Sequence, residues 1–268
     1  MKTIGIIGCG AIGTALAGYA ERELAPFVSG MVLYDRESEK ARTLAGKLTK
    51  ARPAGSMEEA VDKADIVIET ASAGAAAGIL KEAIKKQKDI MMLSIGGLVA
   101  SAPLFEEARE KGIRLMLPSG AIAGIDAVKA ARIAGIESVT LTTRKPLASI
   151  KGAPYLLKKG IDVDKIKEET VIFEGTAREA IEGFPRNINV SVLLSLVGEG
   201  PDKTKVKIIV SPEYTRNMHE IEVKSKAGTI KTRTENVSFP ENPKTSYLAA
   251  LSAMVVLKGY FDTVQIGT

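Results

Sequence analysis

The 268-residue chain contains one cysteine, Cys9, one histidine, His219, and no tryptophan. A single thiol cannot close a disulfide within the chain, and so few His and Cys exclude a zinc site built from several such ligands. No metal is expected. Aromatic residues make up only 4% of the sequence, which leaves few platforms on which bases could stack. No apolar run reaches the roughly 18 residues of a membrane span. The N-terminus, MKTIGIIGCG, has the pattern of a strand and a glycine turn rather than a cleavable leader. A cytoplasmic chain with no membrane partner is the expectation.

Charge of one sign is not concentrated either. The net charge is +5, but 37 Lys and Arg are scattered among 32 acids. The basic stretch at 81–88 alternates with apolar positions at helical spacing, as a solvated helix face does. Nucleic acid is not expected as a partner; a small anion such as a phosphate-bearing cofactor or a dicarboxylate suits the mild positive balance better.

The hydrophobic pattern changes part-way along the chain. Near-continuous apolar runs at 3–7, 31–34, 65–70, 89–95 and 113–117 alternate with amphipathic stretches at 11–23, 38–48, 74–86 and 101–111. Buried parallel strands joined by helical crossovers have this pattern, which predicts an α/β doubly wound Rossmann sheet. Ser56 followed by Glu59 predicts a capping box ahead of another helix. Beyond this region, 138–144, 170–173, 203–210, 218–224 and 228–233 alternate polar and apolar residues, with helices at 177–183 and 188–197 between them. That predicts a second α+β domain on a mainly antiparallel sheet with one wet face. The apolar helix at 247–260 is expected to return to the first domain. The resulting division is 1–121 with 243–268 as the dinucleotide-binding domain, and 122–242 as a substrate and dimerisation domain. A homodimer is the default assembly, with the strand at 203–210 as a candidate for pairing across a two-fold axis.

Gly8-Cys9-Gly10-Ala11-Ile12-Gly13 fits G-x-G-x-x-G. Three glycines at fixed spacing arise often by chance, but these follow a predicted strand and open a predicted helix at the head of a βαβ unit, which is the context that gives the motif meaning. Gly8, Gly10, Ala11, Ile12 and Gly13 are thus the expected pyrophosphate cradle. Asp35 follows Gly13 by 22 residues, close to the ~20 expected of the acid that bonds the adenosine ribose, which favours NAD. Arg36 beside it could pair with the 2′-phosphate of NADP or be an ordinary surface charge. Cys9 fills the variable slot of the loop.

In the strand Arg216-Asn217-Met218-His219-Glu220-Ile221-Glu222-Val223, the two-residue period puts His219 on the apolar side with Ile221 and Val223. It could be a buried core histidine or, if that face turns to the cofactor, the chain's one side chain suited to proton transfer near neutral pH. Ser119 to Gly124, a run of small residues after the last parallel strand, would admit a nicotinamide ring closely. Asn187 and Asn189 stand at the start of an apolar helix, where either could cap the helix or face the cleft.

The glycine loop, PRNINV at 185–190 and RNMHEIEV at 216–223 together resemble the L-aspartate dehydrogenase family of archaea and some bacteria. The resemblance spans essentially the whole chain, and the paired asparagines and the histidine strand are its more specific parts. It implies that His219 is the active-site residue and that Ala123 and Asn189 contact the cofactor, NAD or NADP. It further implies oxidation of L-aspartate to iminoaspartate, which hydrolyses to oxaloacetate and ammonia or feeds quinolinate and NAD synthesis. Asn187, Arg216 and Lys145 are candidate partners for the substrate. A homoserine dehydrogenase, a dihydrodipicolinate reductase or a non-catalytic NAD(H)-binding regulator are the competing readings.

Overall fold

A computed structural model describes residues 1–99, 101–185 and 188–267. The chain divides into two compact units, Met1–Pro118 with Ala250–Gln265, and Ser119–Ala249 with the C-terminal residues.

The first unit carries six parallel strands, β1 (Lys2–Ile7), β2 (Val28–Tyr34), β3 (Ala51–Pro53), β4 (Ile66–Glu69), β5 (Asp89–Met92) and β6 (Leu115–Met116), in the order β3-β2-β1-β4-β5-β6. This is the doubly wound order that reverses direction between β1 and β4. Helices α1 (Ala11–Glu23), α2 (Ser38–Ala45), α3 (Met57–Asp62), α4 (Ala73–Lys85) and α5 (Ala102–Glu110) make the connections. Strands buried on both faces need apolar residues at every position, and Ile4, Ile6, Ile66, Val67, Ile68 and Ile90 are fully buried. The expected capping box forms by half. Ser56 Oγ accepts from Glu59 N–H, but the Glu59 carboxylate turns to Arg52 and the Gly55 N–H, where a cation and a free amide compete successfully for it.

The second unit begins with α6 (Ile125–Ala134), a helix absent from the sequence-based expectation. Its N-cap is Gly124, at φ +81°, so none of the usual Ser, Thr, Asp or Asn cap signals marks its start. Next come β7 (Ile136–Pro146), α7 (Pro154–Lys159), β8 (Thr170–Thr176), α8 (Ala177–Gly183), α9 (Asn189–Val197), β9 (Thr204–Ser211), β10 (Asn217–Ser225), β11 (Gly228–Asn236), and the short pair β12 (Ser238–Phe239) and β13 (Asn242–Ser246). The main sheet runs β11-β10-β7-β9-β8, antiparallel except where β7 meets β9. One face buries Val139, Leu141, Val206, Ile208, Ile221 and Val223.

This order corrects one expectation. The strand at 203–210 is β9, and both of its edges are occupied, by β7 and β8. It has no free backbone groups with which to pair a second chain. Its alternating lysines mark a wet face, and a wet face is not an open edge.

Helix α10 (Tyr247–Phe261) closes the chain, and Ala253 and Leu257 pack in the first unit's core with Leu16, Ala20 and Leu33. Among the described residues, no helix is long and apolar enough to cross a membrane.

Candidate active site

In the first unit, β1 ends at the glycine loop. Gly8 adopts φ +107°, and a Cβ there would lie 2.5 Å from the Thr70 carbonyl oxygen. A Cβ on Gly13 would lie 2.0 Å from the Gly8 carbonyl oxygen, so only glycine lets α1 approach the strand this closely. Gly10, by contrast, has no neighbour within 4 Å of where its Cβ would be. It is also the N-cap of α1 and provides no side-chain cap. The loop therefore presents open space over a helix N-terminus whose first N–H groups have no intrahelical partners, the arrangement that receives a pyrophosphate. Ala11 and Ile12 form the first turn of that helix.

Asp35, just past β2, accepts from Cys9 N–H at 2.8 Å and from Glu37 N–H at 2.9 Å. The structure thus brings the expected ribose acid to the glycine loop. Arg36 is exposed. Cys9 is buried, and burial together with the nearby Asp35 charge pushes its thiol up to about 12, which leaves it protonated and unreactive.

In the second unit, His219 is buried at 6% exposure, and its Nδ1 lies 3.1 Å from Thr143 Oγ1 on β7. When Nδ1 carries the proton and donates to Thr143, Nε2 presents its lone pair and can act as a base. Thr143 and His219 are register partners, and Lys145, two residues further along β7, continues on the same face. Lys145 is likewise 6% exposed. Burial lowers its pKa to about 8, while burial and then the Lys145 charge lower His219 to about 3. The fold alone therefore holds a neutral imidazole beside a buried ammonium.

Ala123 lies in the loop leading into α6, and that loop is tied to edge strand β11. Thr232 Oγ1 donates to the Ala123 carbonyl, and Thr234 Oγ1 and Asn236 Nδ2 donate to that of Ala121. Thr234 is the register partner of His219, so the small-residue loop is fixed to the strand beside the histidine. Asn189 is the exposed first residue of α9, and the N-cap is Ile188; Asn189 does not cap the helix. Asn187 lies outside the described residues. Arg216 does not join the group. Three residues before His219, it falls on the opposite side of the sheet, is exposed, and pairs with Glu235 at 3.7 Å.

Residues 126–260 match the family model for the C-terminal domain of aspartate dehydrogenase, and residues 8–118 match that for the NAD binding domain of homoserine dehydrogenase. The L-aspartate dehydrogenases of Methanosarcina mazei and Methanococcoides burtonii are 44% and 45% identical to this sequence over the full length of both chains. The chain belongs to the L-aspartate dehydrogenase family. Among solved structures, aspartate dehydrogenase from Thermotoga maritima matches with a TM-score of 0.76 at 26% identity, covering all of both chains. A homoserine dehydrogenase from Thiobacillus denitrificans shares the fold, at a TM-score of 0.62 and 15% identity over 95% of this chain and 72% of that one.

Three residues of this L-aspartate dehydrogenase family member were not found from the sequence. Glu69, at the end of β4, is fully buried and accepts from the N–H groups of Ala71, Leu93 and Ser94. Burial raises its pKa against the opposing effect of those bonds. It ties together the loops after β4 and β5; an acid closing an apolar strand was the available signal. Thr70 donates to the Gly8 carbonyl at 2.6 Å and so pins the glycine loop. Asn217, at the start of β10, shares the His219 face, and its Oδ1 is buried with no hydrogen-bond partner. Such an orphan costs about 1–3 kcal/mol.

Proposed function

We propose that this chain oxidises L-aspartate to iminoaspartate with NAD or NADP, iminoaspartate then hydrolysing to oxaloacetate and ammonia or feeding quinolinate and NAD synthesis. The observation that carries the reading is His219, buried, bonded to Thr143 and set beside Lys145, in a chain whose family bears that activity in its name.

The dinucleotide would be held by Gly8, Gly10, Ala11, Ile12 and Gly13, with Asp35 at the ribose and Arg36 available to a 2′-phosphate. The resemblance adds Ala123 and Asn189 from the second unit. When bound, the nicotinamide supplies a hydride acceptor for the aspartate Cα.

The chain's own residues handle charge and protons. Of the two basic candidates, Lys145 rather than Arg216 pairs with a substrate carboxylate. That pairing neutralises one of the two influences that depress His219, so its proton affinity rises when substrate is present. His219 Nε2 then accepts a proton from the α-ammonium group, which must lose a proton as the Cα hydride leaves, and releases it to solvent; the neutral ring so regenerated takes a proton from the water that attacks the imine and can pass it to the departing ammonia. Thr143 holds the ring in the orientation that both steps need.

The reading includes a cytoplasmic homodimer, supported by the single cysteine, which suits a reducing compartment, and by the prevalence of two-fold assemblies; light scattering of the purified chain tests the dimer. The activity is tested by NAD(P)H formation from a panel of L-amino acids that includes L-aspartate and L-homoserine. L-Aspartate should be preferred, and His219→Asn should lower its turnover by at least ~100-fold, the lower range for loss of a general base. Turnover of L-homoserine alone, or near-normal rates in His219→Asn, would sink the assignment.

A further inference from the structure

Among the described residues, Asn217 Oδ1 is the one buried side-chain nitrogen or oxygen without a hydrogen-bond partner. Its neighbour across the ladder cannot satisfy it. Asn217 pairs in register with Asn236 on β11, but Asn236 Nδ2 is engaged by the Ala121 carbonyl, and its Oδ1 accepts from Ser246 Oγ at 2.7 Å. On the other side, Lys145 follows Thr143 along β7 on the same face. Asn217 and His219 are two residues apart on one strand, so their side chains stand on the same face about 7 Å apart at the backbone. Each side chain extends far enough to meet one shared atom between them.

The face therefore offers two acceptors, the Asn217 carbonyl oxygen and the lone pair of a neutral His219, next to one cation, Lys145. An α-amino acid complements that set. Its carboxylate takes the ammonium, and its nitrogen carries enough N–H groups to serve both acceptors. A hydroxy acid of the same shape has a single O–H and can serve only one, leaving the other buried without a donor. Sites built around such bonds discriminate strongly because the unmet group is stranded.

We propose that Asn217 is the specificity-determining residue that selects an amino over a hydroxyl group at the substrate's α-carbon, its Oδ1 accepting one N–H while His219 accepts another. This rests on the aspartate-oxidation reading above.

The test compares L-aspartate as substrate with L-malate, its hydroxy counterpart, as competitive inhibitor in the NAD-loaded enzyme. Asn217→Leu keeps the volume and removes the acceptor. Its KM for L-aspartate should rise roughly 10- to 100-fold, while its Ki for L-malate changes less than about threefold, so the Ki/KM ratio collapses. Asn217→Asp keeps an acceptor and should retain the preference for the amino acid; it also carries the test should Asn217→Leu not fold. An unchanged Ki/KM ratio in Asn217→Leu overturns the proposal. So does parallel weakening of both ligands, which is what a merely structural residue would give, or loss of the preference in Asn217→Asp. A wild-type enzyme that does not oxidise L-aspartate overturns the activity reading itself, an outcome visible before any variant is made.

Discussion

Because the chain has one histidine, its protonation can be read without assignment. In a sample labelled at histidine, a two-dimensional spectrum contains one Cε1–H signal, and that signal belongs to His219. Burial and the Lys145 charge lower its pKa from 6.5 to about 3, which disfavours the imidazolium by roughly 5 kcal/mol. At pH 5 an ordinary histidine is about 97% protonated, whereas His219 should be about 1% protonated. The signal should hold its neutral position from pH 8 down to pH 5 in the folded protein and titrate near pH 6.5 after denaturation. A midpoint near 6.5 in the folded state would refute the reasoning, because it would place the ring in contact with water.

The same shift has a consequence for stability. The folded-state pKa is below the unfolded value, so between about pH 3 and pH 6.5 the unfolded chain binds the extra proton and stability rises with pH. The contribution is fully present above the unfolded value and is lost progressively as pH falls toward 3. Between pH 7 and pH 5 the loss is about 2 kcal/mol. Glu69 acts in the opposite sense, since its pKa is raised in the fold, but it is common to wild type and His219→Gln and cancels in their difference. Denaturant unfolding at the two pH values should show the wild type losing about 2 kcal/mol more than the variant.

Three further outcomes follow from the same structure. Lys145 loses its charge as pH rises through about 8, so kcat/KM for L-aspartate should carry an alkaline limb there that Lys145→Arg removes; a limb unchanged by the substitution would mean that another group titrates. Gly10→Leu fills space in which no atom approaches, and calorimetry should find NAD binding weakened at least ~10-fold with the melting temperature intact; Gly13→Ala forces a Cβ to 2.0 Å from a carbonyl oxygen and should lower the melting temperature itself. Cys9, held protonated up to about pH 12, should resist a thiol-reactive disulfide in the native protein and react at once in denaturant; rapid native labelling would contradict its burial.

How far the site could be read from the sequence depended on whether each part is local. The glycine loop was legible because turn, close approach and helix start all fall within six residues, and the structure puts open space, a positive φ and tight packing at the expected positions. The side of the sheet occupied by His219 was legible from period-two alternation alone. The same alternation, applied to Arg216, already placed it on the far side, since an odd separation changes face; its charge at a strand end suggested a carboxylate partner, but the side chain pairs with Glu235. Lys145 could not be preferred to it from the sequence, because its place beside His219 depends on β7 and β10 pairing at Thr143, 76 residues apart in the chain. Asn217 was still less accessible. Its face followed from His219, but its unmet oxygen exists only because Asn236 is held by Ala121 and Ser246, which no pattern within the strand encodes. The charge around the histidine is thus set by strand register and by the commitments of neighbouring side chains. Substitutions that move register at β7 or β10 should therefore disturb the chemistry as much as substitutions of His219 itself, although they touch no residue of the motif.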